Sequence, residues 1–139
     1  MRKIAMTALA ACACVSAPAV ADEVWDSNAG MVVYLEDQGS TAVLQQMHPR
    51  YGELRVYVRG LGGNYDNRRG VFNGYWIATH PARAGWTCDV SIVMEDGQTS
   101  NVWGRVEMTF TTGGFPTGFV AHTGSCHSDA TDSWTGQPR

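Results

Sequence analysis

The sequence predicts an all-β protein: a small antiparallel barrel of about eight strands, up-and-down or partly closed, or a two-sheet sandwich. Three observations carry this prediction. After residue 21 no segment keeps a helical period of apolar residues. Short alternating runs instead recur about every ten residues between Gly, Asn, Asp and Pro. Finally, the two cysteines that remain there, Cys88 and Cys126, form an even pair that fits one disulfide bond.

The first 21 residues have the pattern of a secretory signal. Arg2 and Lys3 precede an apolar run at 4–17, and Ala19-Val20-Ala21 offers small residues at the cleavage positions. We therefore expect cleavage after Ala21 and a periplasmic or secreted product. The alternative is a lipoprotein anchored through Cys12, but that would leave an apolar run at the bottom of the usual length.

The 118 residues that follow the signal suit one ordinary domain, which we place at 22–127, with a polar, flexible tail at 128–139. Loss of two basic residues with the signal takes the net charge from −3 to −5. This acidic balance argues against nucleic acid as a partner. No second apolar stretch is long enough for a membrane helix, so we expect a soluble monomer without a transmembrane segment.

Eight strands are predicted from the alternating runs: 24–27, 31–36, 41–47, 53–59, 70–79, 86–95, 99–111 and 117–123. The clearest alternation runs through Cys88, Val90, Ile92 and Met94. Asp96-Gly97 then predicts a hairpin turn, because both central residues of the favoured turn need positive φ. Isolated glycines within strands, at Gly74 and Gly104, indicate bends or close approaches of neighbouring backbones.

A disulfide between Cys88 and Cys126 requires the two Cα atoms to lie within about 7 Å. A regular meander would place these cysteines at opposite ends of the barrel. We therefore expect a strand to turn a corner near Gly104, or the segment after Thr123 to fold back. The cysteines lack the paired spacing of zinc ligands, and no metal site or cofactor is predicted.

The first candidate ligand site is the loop Gly60–Gly70. Its glycines would let the backbone approach a ligand, and the loop offers polar groups around one aromatic ring. The candidate residues are Asn64, Tyr65, Asp66, Asn67, Arg68 and Arg69. The competing interpretation is a long hairpin connection in which Asn, Asp and Gly only serve turn geometry.

Tryptophans supply the second candidate feature, since Trp76 and Trp103 could stack on a sugar or enclose a small apolar ligand at a barrel mouth. Filling of the core is the competing interpretation. His48, His80, His122 and His127 occur singly and are expected to be ordinary loop or surface residues.

No nucleophile elbow, zinc-protease motif or opposed carboxylate pair is present, so no catalytic residue is predicted. The architecture is similar to that of small exported barrels such as the avidin-like, lipocalin-like and bacterial lysozyme-inhibitor groups, but no functional residue follows from that likeness. We expect a non-catalytic binding or inhibitor module for an unknown small ligand or an envelope or exported protein. The alternatives are a structural domain that pairs with another envelope protein and, after that, a hydrolytic enzyme.

Overall fold

Eight antiparallel strands close into a barrel in the computed structural model, which confirms the predicted fold class. The structure describes residues 23–63, 70–114 and 116–139. The predicted signal at 1–21 and the loop candidates Asn64, Tyr65, Asp66, Asn67, Arg68 and Arg69 lie outside these ranges. Within them, no helix is long and apolar enough to cross a membrane.

The described chain contains ten strands and one short 3-10 helix at Pro81–Arg83. The strands are β1 Val24–Ser27, β2 Val32–Gln38, β3 Thr41–His48, β4 Gly52–Arg59, β5 Phe72–Ala78, β6 Ile92–Val93, β7 Thr99–Ser100, β8 Trp103–Phe110, β9 Phe119–Thr123 and β10 Asp132–Pro138. Around the barrel the order is β1-β10-β9-β8-β5-β4-β3-β2. The path is therefore up-and-down, interrupted only by residues 79–102 between β5 and β8. We call this segment the excursion.

The inward-facing apolar residues of the alternating strands fill the barrel interior, as the sequence predicts. Leu54, Val56 and Val58 on β4 face inward, and Val106 and Met108 on β8 lie in the same buried cluster. Each apolar side chain removed from water contributes about 1.5–3 kcal/mol, so this cluster is the main stabilising feature of the barrel.

The predicted strand at 86–95 is wrong as a barrel strand. Only Ile92 and Val93 form a strand there, and this β6 pairs with β7 outside the barrel. The turn between them contains Asp96 and Gly97 as predicted, but only Gly97 has positive φ, so it is not the two-residue turn that the sequence predicted. Ile92 and Met94 pack against a second buried cluster on the outer face of the barrel, namely Val43, Tyr57, Ile77, Cys88 and Trp103. The alternation was real, but it marks a segment that covers the outside of the sheet.

A hydrogen bond fastens this excursion to the barrel. The Tyr57 hydroxyl donates to Asp96 Oδ2 at 2.8 Å, and Gln38 Nε2 donates to the same oxygen at 3.2 Å. Burial, followed by the bond to Asp96, raises the pKa of the Tyr57 hydroxyl. Burial of Asp96 opposes its charge, yet hydrogen bonds from the Gln98 backbone, Tyr57 and Gln38 lower the pKa of this carboxyl overall. The tip of the β6–β7 hairpin is thus held against β4.

The predicted flexible tail at 128–139 is also wrong, because Asp132–Pro138 forms β10 and pairs with both β9 and β1. Trp134 is only 5% exposed and its ring meets Phe119 edge-on at 5.1 Å. Gly136, the next inward position, leaves room for the Phe119 ring, with which a Cβ would collide. The outward residues of β10 are polar, which hid the strand in the sequence.

The disulfide between Cys88 and Cys126 is confirmed, with Cα atoms 5.6 Å apart. The excursion explains how the cysteines meet: Cys88 follows β5 and Cys126 follows β9, and both strands end at the same end of the barrel. Cys126 N–H donates to Trp103 O at 2.8 Å, while Cys88 N–H donates to Asn101 O at 2.7 Å. The bridge therefore joins the excursion to the β9–β10 loop without a corner in β8.

Replacing both cysteines by serine (C88S/C126S) should lower the melting temperature by at least roughly 10 °C, since a bridge with this separation contributes about 4 kcal/mol in the chain-entropy account. Thermal melts followed by circular dichroism measure this. Reductant should reproduce the loss in the unmodified protein and have no effect on the double variant. Equal melts for all samples would contradict the proposed contribution.

Gly104 is the position where two backbones approach most closely at this end. A Cβ there would collide with the carbonyl oxygen of Gly124 and would crowd Trp76 Nε1 at 2.5 Å. Gly74 likewise faces the Tyr57 carbonyl. The glycines in these strands are thus explained by close approach rather than by turns.

Gly104→Ala should lower the free energy of unfolding by about 2 kcal/mol or more, because backbone must move to admit the methyl group. Gly114→Ala is the matched control, since the nearest described neighbour, Thr112 Oγ1, is 3.9 Å from the added Cβ. Urea denaturation measures both. Similar midpoints for the two variants would contradict the close approach at Gly104.

Candidate ligand-binding site

One end of the barrel, which we call the mouth, is where β5 and β9 end and β8 and β10 begin. It contains a cavity of about 240 Å³. Eight-stranded barrels are wide enough to hold one small ligand in this position. The lining residues are Ala29, Gln46, His48, Tyr51, Leu54, Val56, Trp76, Val106, Thr123, Gly124, Ser125, Asp132, Ser133 and Trp134.

Three rings form one side of the mouth, and we call His48, Tyr51 and Trp76 the aromatic wall. Tyr51 lies parallel to His48, with ring centroids 4.6 Å apart and an interplanar angle of 11°. It is also parallel to Trp76, at 6.1 Å and 5°. Trp86 meets both Tyr51 and Trp76 edge-on from the excursion, which supports the wall from behind.

His48 fixes the turn that carries Tyr51. Its Nδ1 accepts backbone N–H groups from Arg50 at 3.1 Å and from Tyr51 at 3.2 Å. Burial, and then the charge of Arg50, lower the pKa of His48 below its usual 6.5. Both effects favour neutral imidazole, which is the form in which Nδ1 can accept these bonds.

Trp76 is held by its indole N–H, which donates to Gly124 O at 3.0 Å. This bond crosses from β5 over Gly104 to the start of the β9–β10 loop, and it depends on the absence of a side chain at Gly104. The ring orientation is thus set by backbone rather than by flexible side chains.

Two buried polar atoms at the cavity, Gln46 Oε1 and Trp134 Nε1, have no hydrogen-bond partner among the described residues. Gln46 is 3% exposed, and its Nε2 donates to Ala29 O at 2.9 Å, while its Oε1 accepts from no described residue. Trp134 is 5% exposed, and no described residue accepts its indole N–H. An unsatisfied buried polar group costs about 1–3 kcal/mol, so a hydrogen-bonding molecule bound in the cavity would be stabilised by both groups.

Polar groups form the other side of the mouth. Thr123, Ser125 and Asp132 come from the end of β9, the following loop and the start of β10. Ser133 also borders the cavity, but it alternates with Trp134 along β10, so its side chain is on the outer face. In the described hydrogen-bond network, none of these hydroxyls bonds to His48 or Asp132. The described residues also contain no group of three or more side chains suited to hold a metal ion. The chemistry present is that of hydrogen bonding and ring stacking.

The structure separates the residues that sequence reasoning had grouped. Trp76 faces the cavity, whereas Trp103 faces outward: it is 2% exposed and its indole N–H donates to Val90 O at 2.8 Å under the excursion. The register of β5 and β8 explains this difference. Trp76 pairs with Gly104 and Ile77 pairs with Trp103, and consecutive residues of a strand point to opposite faces of the sheet. Gly63 and Gly70, which flank the undescribed loop residues, lie toward the opposite end of the barrel.

Several residues of the mouth escaped the sequence interpretation, above all Gln46, His48, Tyr51 and Trp134. The one available signal was on β3, where Gln46 and His48 continue the inward period of Ala42 and Leu44. A polar residue in phase with core positions indicates a polar patch inside a barrel.

No family model, no curated protein and no solved structure matches this chain significantly.

The contribution of His48 to stability should fall as pH falls. Because its folded pKa lies below 6.5, the unfolded chain binds the proton first, so this contribution is complete above pH 6.5 and is lost between 6.5 and the folded pKa. His48→Asn retains an acceptor without titrating and should flatten the dependence. Urea midpoints at several pH values measure this. His122→Asn, which makes the same change at an exposed position, is the control. An unchanged pH dependence in His48→Asn would contradict the account.

Proposed function

We propose that this protein is an exported, non-catalytic binding module that holds a small ligand in the mouth of its barrel. The observation that carries the proposal is the pairing of an aromatic wall with two buried polar groups, at Gln46 and Trp134, that the described protein leaves unsatisfied. Apolar walls with a few convergent polar groups are typical of small-molecule sites.

Rigidity of the site supports ligand binding. The wall is fixed by backbone hydrogen bonds to His48 and Trp76, and the disulfide ties the β9–β10 loop to the excursion. A preformed site loses little conformational entropy when a ligand binds. Export is supported by the sequence pattern of residues 1–21 and, weakly, by a disulfide that suits an oxidising compartment.

Pairing with another envelope protein through a strand edge has less support. The barrel is closed, so its eight strands offer no free edge for an added strand. For the same reason we propose that the protein acts as a monomer.

Ligand recovery tests the proposal. The protein is purified under native conditions from periplasm and denatured, and the small molecules released are identified by mass spectrometry. Tyr51→Ala should lose the ligand, because Tyr51 is the centre of the aromatic wall. The variant Tyr65→Ala/Arg68→Ala, in the loop first predicted as the site, should retain it.

The opposite result, retention by Tyr51→Ala and loss by the loop variant, would move the site from the mouth to the loop Gly60–Gly70. Recovery of no small molecule from any folded sample would contradict the proposed function. Thermal melts of both variants establish that they are folded.

A further inference from the structure

We infer that the ligand of the mouth is a single uncharged sugar ring, either a free monosaccharide or the terminal ring of a glycan. This inference rests on the proposed function and specifies its ligand. Four properties of the cavity support it: its size, its two unlike sides, its unsatisfied polar groups and its charge.

The volume limits the ligand to about one ring with its substituents. The cavity measures about 240 Å³. An engineered protein cavity of about 150 Å³ accommodates benzene, which gives a scale for this size. A pyranose fits this volume, whereas a polycyclic compound or a long acyl chain would have to extend out of the mouth.

The two sides of the cavity favour a ring whose own two aspects differ. The aromatic wall lines one side with apolar ring atoms, while Thr123, Ser125 and Asp132 line the other with oxygen atoms. A pyranose matches this arrangement, because one face carries C–H groups that stack on aromatic rings while hydroxyls project from the ring edge. A flat heteroaromatic ring has two equivalent apolar faces, and one of them would lie against the oxygens.

The unsatisfied groups call for a ligand that both donates and accepts. Gln46 Oε1 is an acceptor and the Trp134 indole N–H is a donor. Hydroxyl groups donate and accept at once, so a polyhydroxylated ring satisfies both protein groups without carrying charge. The bonds would form in a site largely removed from water, where an unmade hydrogen bond is costly.

Charge disfavours anionic sugars. No Lys or Arg lines the cavity in the described chain, and Asp132 is its only carboxylate. Arg50 lies close by, but its guanidinium is placed over the Tyr51 ring at 5.6 Å from the centroid. A phosphorylated or acidic sugar would therefore meet a negative group with no cation inside the cavity to compensate it.

NMR titration of the folded protein tests this inference, with the indole N–H signals as reporters. The probes are glucose, galactose, mannose and N-acetylglucosamine, a short neutral oligosaccharide of each, glucuronate, and the heteroaromatic compounds adenine and nicotinamide. At least one neutral sugar should shift the Trp76 and Trp134 signals in a saturable way. A monosaccharide as tight as its oligosaccharide indicates a free sugar as ligand, and a tighter oligosaccharide indicates a glycan terminus.

Matched variants locate the binding. Gln46→Leu removes the acceptor and should lower the affinity for the sugar by at least about tenfold, the equivalent of one hydrogen bond of about 1.4 kcal/mol. Gln45→Leu makes the same change one residue away, on the outer face of β3, and should bind as the unmodified protein does. Trp134→Phe keeps a ring but lacks the N–H, and should weaken binding while remaining folded.

Preferential binding of glucuronate, adenine or nicotinamide at the mouth would overturn the sugar assignment and leave the proposed function intact. Equal affinity of Gln46→Leu and Gln45→Leu, with Trp134→Phe also unchanged, would overturn the assignment as well. If no probe moves the two indole signals, the sugar assignment is also overturned. Recovery of a native ligand from the periplasm then tests the proposed function separately.

Discussion

Closure of the sheet between β1 and β10 is the constraint on which the rest of the structure depends. The two strands share the register pairs Trp25–Pro138, Asp26–Gln137 and Ser27–Gly136, so the joint is short. Behind it, Phe119 meets Trp25 at 5.9 Å and Trp134 at 5.1 Å, both edge-on. These rings are almost fully buried. The exposed ion pair between Arg139 and Asp26 adds little by comparison, because such pairs are screened by solvent.

The same closure builds the mouth. In the barrel order, β10 lies across from β4, so it brings Asp132 and Trp134 to the side that faces the apolar and aromatic residues of β3, β4 and β5. Without β10 the mouth would lack Asp132 and the indole N–H of Trp134. The disulfide then ties the β9–β10 loop to the excursion on the outer face, which carries Trp86 behind the wall. Fold closure and site geometry are thus one arrangement.

Sequence patterns predicted the parts of this fold that depend on local periodicity. The inward runs on β4 and β8, the Asp96-Gly97 turn and the disulfide follow from alternation, turn chemistry and cysteine number. Alternation does not reveal which surface a segment covers, so the run from Cys88 to Met94 was assigned to the barrel although it packs outside. Nor does it reveal a strand whose outward residues are polar and whose inward residues include a glycine, as in β10. The error over β10 hid Trp134, while His48 and Tyr51 were missed because the inward phase of Gln46 and His48 on β3 was not used.

The most direct test of the account is a crystal structure of the protein with the ligand recovered from its native source. We expect density in the mouth, packed against the aromatic wall and within hydrogen-bond distance of Gln46 Oε1 and Trp134 Nε1. Density against residues 64–69, with the mouth occupied only by solvent, would contradict this proposal.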